Sequence, residues 1–379
     1  MIPIALPLLG DEEAEAAREA VLSGWVSQGP QVAAFERDFA TLVGAPYACA
    51  VSNCTTALHL ALVALDISPG DEVITASHSF IATANCVRYC GATPIFVDID
   101  PDTYNIDPDR VAEAITSRTR AIIAVHQMGM PCDLAALVAI AERHGIALIE
   151  DAACAAGSQI CTNGGWDRIG KPHGRIACFS FHPRKVITTG EGGMLTTSDP
   201  ELDRKFRLLR QHAMSVPDTV RHGSPQVIFE DYLAVGFNYR MTDIQAAVGR
   251  KQLTKLSDIV ARRRALAARY AELLGNIEGL SLPFEPEWAR SNWQSYCVRL
   301  PNKVDQRTVM QKLLDRGIAT RRGIMCSHRE SPYSDGKQRH DLRQSELAQD
   351  HAILLPIYAQ MRDEDLELVA NTFRAEVNR

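Results

Sequence analysis

With 379 residues, 46% of them hydrophobic and 23% charged, the chain can bury a large core and suits a globular protein of two domains. Its 46 acidic and 40 basic residues leave a formal charge of −6 with no basic tract, which argues against nucleic acid as a partner. No stretch approaches the ~20 apolar residues of a membrane span, so no membrane association is expected.

The N-terminus is apolar from Met1 to Gly10 but lacks a basic leader region and runs into Asp11-Glu12-Glu13, so a secretory signal is not expected. Helical patterns follow at 11–23 and 31–43, separated by a loop from Gly24 to Pro30. Strand candidates at 48–52, 72–76, 94–98, 120–125 and 146–150 then alternate with helical patterns near 55–66, 78–90, 107–116 and 133–144. This alternation predicts an α/β fold with a mostly parallel sheet flanked by helices. Residues 176–181 and 193–197 would add strands, and helical patterns follow at 199–212 and 242–275. The remainder, with a strand at 294–300 and helices at 305–316 and near 363–376, suits a small α+β domain. The expected division is a large domain over 1–250 and a small one over 251–379. Ten cysteines are dispersed, with no C-x-x-C pair or Cys/His cluster, which predicts free thiols in a cytoplasmic protein and no metal site.

Three stretches carry chemistry. From Ala48 to Leu60 a strand runs through Ser52-Asn53-Cys54-Thr55-Thr56 into an apolar helix. Helix N-termini present free N–H groups and a positive dipole end, a seat for phosphate, although Ser/Thr capping alone would give the same pattern. From Ala147 to Ala153 a buried strand ends in Glu150-Asp151, where ligands sit in open α/β sheets; Asp as a plain helix cap is the alternative. From Phe179 to Gly193 a short strand turns at Pro183, presents Lys185 and leaves through Thr188-Thr189-Gly190-Glu191-Gly192-Gly193. An aspartate against a pyridine nitrogen and a lysine forming a Schiff base are the pair that pyridoxal phosphate (PLP) chemistry requires.

Together these stretches resemble the DegT/StrS group of PLP-dependent sugar aminotransferases, of the type I aminotransferase fold. Phe80-Ile81-Ala82-Thr83-Ala84-Asn85 and Gly236-Phe237-Asn238-Tyr239-Arg240-Met241, followed by Gln245-Ala246-Ala247, extend the match. The resemblance implies that Lys185 forms the Schiff base and moves the proton between substrate and cofactor, and that Asp151 pairs with the pyridinium nitrogen. It further implies that Thr55, Thr56, the Cys54 amide and Ser180 hold the phosphate. Phe80 would stack on the ring, and Asn238 would reach the site of a neighbouring subunit, making the enzyme a homodimer with shared active sites.

Two departures stand out. Cys154 occupies the place where relatives usually have His or Gln near the ring hydroxyl, and a thiol donates only weakly. A longer polar loop from Cys161 to Arg175 precedes the lysine strand, read as a surface insertion. The basic run from Ala319 to Tyr333 offers Arg321 and His328 as substrate contacts, and His126 at a strand end is a third candidate; Arg forks match carboxylates and phosphates.

The resemblance implies transfer of an amino group from an amino acid, L-glutamate in most relatives, to a nucleotide-linked keto sugar of the 4-keto-6-deoxy type. The alternation of the cofactor between PLP and pyridoxamine phosphate (PMP) gives a ping-pong cycle. An aminotransferase acting on a keto-cyclitol is the alternative. A PLP-dependent sugar dehydratase is disfavoured because those relatives carry His in place of the lysine, and a non-catalytic regulator is disfavoured by the intact Lys185, Asp151 and Thr55 set.

Overall fold

Continuous apolar runs dictate the centre of the molecule, because strands covered by helices on both faces have no polar side to show. The computed structural model describes residues 1–162, 164–216, 220–221, 224–334 and 338–378. Helices α1 (Asp11–Leu22) and α2 (Pro30–Val43) lead into β1 (Tyr47–Val51). Then come α3 (Cys54–Ala64), β2 (Glu72–Ala76), α4 (Ala82–Tyr89), β3 (Thr93–Val97), α5 (Pro108–Ala114), β4 (Thr119–Val125), α6 (Leu134–His144) and β5 (Ala147–Asp151). Strands β6 (Gln159–Thr162) and β7 (Gly165–Arg168) precede β8 (Ile176–Ser180) and β9 (Gly193–Thr197).

The central seven-stranded sheet has the order β1-β9-β8-β5-β4-β2-β3. Strand β9 runs antiparallel to both neighbours, and the other pairings are parallel. Every position of β2, β8 and β9 is buried. Successive side chains point to opposite faces, so Ile122 joins the core containing Phe35, Phe39 and Phe179, while Ile123 joins the one containing Leu58, Leu60 and Phe206.

Helix α7 (Pro200–Leu209) follows β9, and the 32-residue α8 (Asp243–Leu274) crosses to the C-terminal part. A capping box between Thr242 and Gln245 starts α8, and the Asp243 carboxylate accepts from the amides of Gly29, Gln31 and Val32 at 2.8, 3.0 and 2.9 Å. One side chain thereby satisfies the free N–H groups at the start of α2.

Beyond α8 lie β10 (Ala289–Arg290), β11 (Tyr296–Arg299), α9 (Gln306–Asp315), β12 (Arg321–Arg322), α10 (Arg343–His351), β13 (Ala352–Leu355) and α11 (Asp363–Val377). Strands β11, β13 and β12 form a second, antiparallel sheet. Tyr270, Tyr296, Leu313 and Phe373 centre a separate apolar cluster beneath it. The N-terminal residues join this C-terminal part: Ile2 bridges Ile318, and the Ile357 amide donates to the Ile4 carbonyl at 3.3 Å.

Three details differ from the sequence expectation. The helix placed near 78–90 starts at Ala82, because Ser77 and His78 continue the line of β2: the Ser77 amide donates to Val97 and His78 bridges Cys326. The stretch from Cys161 to Arg175 is not a plain loop; β6 and β7 form a hairpin whose free edge pairs with β10, and Arg290 lies 3.7 Å over the Trp166 ring. Asn163, within that stretch, lies outside the described residues. Finally, β12, β13 and α10 gave no sequence signal, because two to four residues of strand carry no readable period.

Candidate active site

Parallel strands end on one side of the sheet, and the loops leaving those ends gather the singled-out residues. β5 ends in Asp151, which is 4% exposed. One of its oxygens accepts from Thr83 Oγ1 at 2.9 Å and the other from the Ala153 amide at 3.2 Å. Burial raises the Asp151 pKa above the ordinary carboxylate range; the hydrogen bonds from Thr83 and Ala153 and the charge of Lys185 act in the opposite direction.

Lys185 stands on the turn after β8. Its amide donates to the His182 carbonyl at 2.8 Å, closing the turn around Pro183 and Arg184. The loop that follows is fixed: Thr188 Oγ1 donates to the Phe181 carbonyl at 2.8 Å, and Gln252 Oε1 accepts from the Thr188 amide at 3.2 Å. The lysine Nζ lies 3.0 Å from Cys154 Sγ. Burial works against the ammonium, but Cys154, Cys54 and Asp151 outweigh it and hold the Lys185 pKa above its ordinary value.

The start of α3 faces the same space. Asn53 caps it, its Oδ1 accepting from the Thr56 amide at 2.9 Å, while Thr56 Oγ1 donates back to the Asn53 carbonyl at 2.7 Å. The Thr56 hydroxyl is therefore occupied in the cap. No partner for the Thr55 hydroxyl occurs among the described residues, and the first-turn amides of Cys54 and Thr55 have no acceptor within the helix. Gly193 makes the close packing possible: a Cβ there would stand 2.5 Å from the Asn53 carbonyl carbon and oxygen. Through the Ser180–Gly193 pairing the end of β8 is brought beside the helix start, with Ser180 buried. Phe80, one turn before Thr83, is 61% exposed and thus not part of the core.

Two of the expected substrate contacts are engaged elsewhere. His126 is fully buried; its Nδ1 accepts from the Cys132 amide at 3.0 Å, which places the proton on Nε2, facing Glu150 Oε2 at 3.1 Å. His126 therefore has no free ring atom for a substrate. His328 contacts Ser77 Oγ through Nδ1 at 2.6 Å and Glu346 through Nε2 at 3.1 Å, so both its nitrogens are also occupied. Arg321, on β12, keeps an exposed side chain. Asn238 pairs through its backbone with Gln211, and the Ser52 amide donates to the neighbouring Tyr239 carbonyl at 2.8 Å.

Sequence reasoning gave no role to Thr83 or Asn292. Asn292 Nδ2 donates to the carbonyls of Cys154 and Ala156, both at 2.8 Å, and so fixes the loop that carries the thiol. Thr83 lay within a recognised motif, but Asn292 had no signal, because it comes from the far side of α8.

The DegT/DnrJ/EryC1/StrS aminotransferase family profile matches residues 7–374. The spore coat polysaccharide biosynthesis protein SpsC of Bacillus subtilis (strain 168) is 39% identical over 379 residues, 98% of this chain and 96% of SpsC. The crystal structure of the aminotransferase TlmJ from Streptoalloteichus hindustanus superposes with a TM-score of 0.91 at 35% identity, covering 100% of this chain and 99% of TlmJ. Spr1654 of Streptococcus pneumoniae in its PMP form superposes with a TM-score of 0.93 at 25% identity over 100% of this chain and 99% of that one, and it has also been solved in a PLP form.

Proposed function

This chain belongs to the DegT/DnrJ/EryC1/StrS aminotransferase family, whose members depend on PLP, and from that premise we propose that it aminates a nucleotide-linked keto sugar with L-glutamate as donor. The observation that carries the reading is the convergence of Lys185, buried Asp151 and the start of α3 at the carboxyl ends of β8, β5 and β1. These residues fit the cofactor. Asp151 is a buried carboxylate without an ammonium or guanidinium in contact among the described residues, which suits a protonated ring nitrogen. The α3 start, with uncapped amides and the Thr55 hydroxyl, suits a phosphate.

When bound, the cofactor supplies an electron sink for the carbanion formed at the substrate carbon. Lys185 would hold it covalently and, once released, carry the proton to and from that carbon. Asp151, oriented by Thr83, would keep a proton on the ring nitrogen. Ser180, Thr55 and the Cys54 amide would hold the phosphate, with Thr56 shaping the cap, and Phe80 would cover one ring face. Cys154 would stand near the ring hydroxyl. The large domain over 1–250 would carry these groups, and the small domain over 251–379 would close the substrate side.

We read the partner as a second copy. Val227, Phe229 and Val235 are 85%, 90% and 88% exposed in the segment leading to Asn238, an apolar arm that a single copy leaves in water. Seated on a neighbour, the arm would bring Asn238 to that neighbour's phosphate. The name of SpsC, a spore coat polysaccharide biosynthesis protein, supports a sugar acceptor, which we read as one of the 4-keto-6-deoxy type. The unpaired state of all ten cysteines suits a cytoplasmic enzyme.

The test is a visible-absorbance titration with PLP, then L-glutamate, then a panel of nucleotide-linked keto sugars, with Lys185→Ala alongside. Conversion of the PLP band by glutamate in wild type alone, reversed by one of the sugars, is the expected result. A band unmoved by glutamate would refute the donor. A PMP-loaded enzyme that no keto sugar reoxidises would refute the acceptor class.

A further inference from the structure

We propose that Ser79 is a positioning residue of the active site: its hydroxyl donates to Thr83, commits the Thr83 hydrogen to Asp151, and so steadies the carboxylate that is to face the ring nitrogen of the cofactor. The inference rests on the role given to Asp151 in the transaminase reading and adds to it a residue that acts through Thr83.

Three groups stand in a chain. Ser79 Oγ lies 2.8 Å from Thr83 Oγ1, which lies 2.9 Å from Asp151 Oδ2, and all three residues are buried. The direction of the chain follows from counting hydrogens. An ionised carboxylate has none and a threonine hydroxyl has one, so Thr83 gives its hydrogen to Asp151 and can only accept from Ser79. The Phe80 carbonyl is also in reach of Ser79 Oγ, but at 3.5 Å it competes poorly with a contact of 2.8 Å. A hydroxyl that accepts a hydrogen bond is a stronger donor, so Ser79 strengthens the bond that Thr83 makes. That bond lowers the Asp151 pKa against the effect of burial.

The backbone holds Ser79 in place. Its amide donates to the Ser77 carbonyl at 2.9 Å, and the Ser327 amide donates to the same carbonyl at 2.8 Å. Between them His78 bridges Cys326, so the chain leaving β2 is fastened to the C-terminal part. On the other side the Thr83 amide donates to the Phe80 carbonyl at 3.0 Å and closes the turn between the two hydroxyls. Two hydroxyls four positions apart could bond simply to lock such a turn, which would act on stability alone. The continuation to Asp151 separates the two roles, because a relay also acts on the carboxylate. Lys185 and His126 face Asp151 as well, as do the thiols of Cys54, Cys86, Cys132 and Cys178. Substitutions at Ser79 and Thr83 leave all of these in place.

The experiment is PLP titration across pH, followed by absorbance, with urea unfolding of the cofactor-free proteins alongside. Wild type is compared with Ser79→Ala, Ser79→Thr, Thr83→Val and the variant carrying both Ser79→Ala and Thr83→Val. Ser79→Ala should bind PLP about threefold to tenfold more weakly and move the acid limb of binding to higher pH. Ser79→Thr, which keeps the hydroxyl, should bring both back toward wild type. The double variant should match Thr83→Val, because Ser79 acts only through that hydroxyl. An alanine variant that loses stability but keeps the wild-type affinity and limb would make Ser79 a turn lock and overturn the proposal. An alanine effect of equal size in the valine background would overturn it too. If wild type takes up no PLP, the transaminase reading fails, and unfolding alone judges the chain of hydrogen bonds. A cost of Ser79→Ala that vanishes in the valine background would then leave the chain standing, and additive costs would refute it.

Discussion

The Nζ of Lys185 lies 3.0 Å from the Sγ of Cys154, so the amine proposed to hold the cofactor donates to a thiol. Cys54 and Cys178, in the field of the Asp151 carboxylate, are buried, whereas Cys154 is half-exposed, as are Cys90 and Cys161. Iodoacetamide should therefore alkylate Cys154 in cofactor-free protein, and the added amide beside Nζ should abolish the visible PLP band. Prior loading with PLP should protect Cys154 but not Cys90 or Cys161. Peptide mass spectrometry with absorbance reads both effects, and an alkylated Cys154 with an intact band would refute the arrangement.

Thr83 donates to a carboxylate that is otherwise deep in protein. A hydrogen bond to a charged group contributes about 1.5–3 kcal/mol, so Thr83→Val should weaken PLP binding or slow the glutamate half-reaction roughly 10- to 100-fold. Asp151→Asn should cost more. The sign of the pH effect follows: without Thr83 the Asp151 pKa rises further, so the acid limb of PLP binding should move to higher pH in the valine variant. An unmoved limb would show that Thr83 does not stabilise the ionised carboxylate.

Gly193→Ala should push the start of α3 away from β9, because the new Cβ would stand 2.5 Å from Asn53 and 2.9 Å from the Cys54 amide nitrogen. Overpacking of this kind costs about 1–3 kcal/mol, and PLP affinity should fall with stability. Gly165→Ala, where the nearest atom is 3.7 Å away, is the matched control and should be neutral. Denaturant unfolding and PLP titration together check the pair.

If Asn238 completes a neighbour's site, Lys185→Ala and Asn238→Ala subunits should complement. A mixed dimer would hold one site with both native residues, so refolding equal amounts together should restore about a quarter of wild-type activity by statistics. Activity no higher than the mean of the two parents would place Asn238 in its own subunit's site or outside any site.

His78 is fully buried at the end of β2, its ring 5.8 Å from that of Tyr104, and neither ring nitrogen has a partner among the described residues. Burial pushes its pKa to about 3, well below the usual histidine value of 6.5. Because only the unfolded chain takes up this proton, stability is complete above pH ~6.5 and falls as pH drops toward 3. Between pH 6.5 and 4.5 the loss is on the order of 2–3 kcal/mol. His78→Phe keeps the ring contact and removes the titration, so its stability should fall less over that interval in urea unfolding. Equal slopes for the two proteins would refute the assignment.

Much of this was legible in the chain. Apolar runs spaced by helical patterns marked the seven strands of the central sheet within a few residues, because burial on both faces leaves a continuous local signature. The placement of Asp151 and Lys185 at strand ends followed from the same runs. The short strands β12 and β13 were not legible, nor was the hairpin of β6 and β7, where glycines and polar residues mask strand pattern.

The sequence by itself determined the order of the elements that build the central sheet, the fold class and the residues that turn toward the carboxyl ends of the strands, since strand and helix periods are set by neighbours in the chain. Only the tertiary structure decided what those residues touch. Thr83 and Asp151 are 68 positions apart, and Cys154 and Lys185 are 31 apart. Asn292 reaches the Cys154 loop from 138 positions away. The same packing gave both ring nitrogens of His126 and of His328 partners within the protein. Hydrogen bonds act over about 3 Å, and which groups come that close is fixed by how the sheets and helices pack.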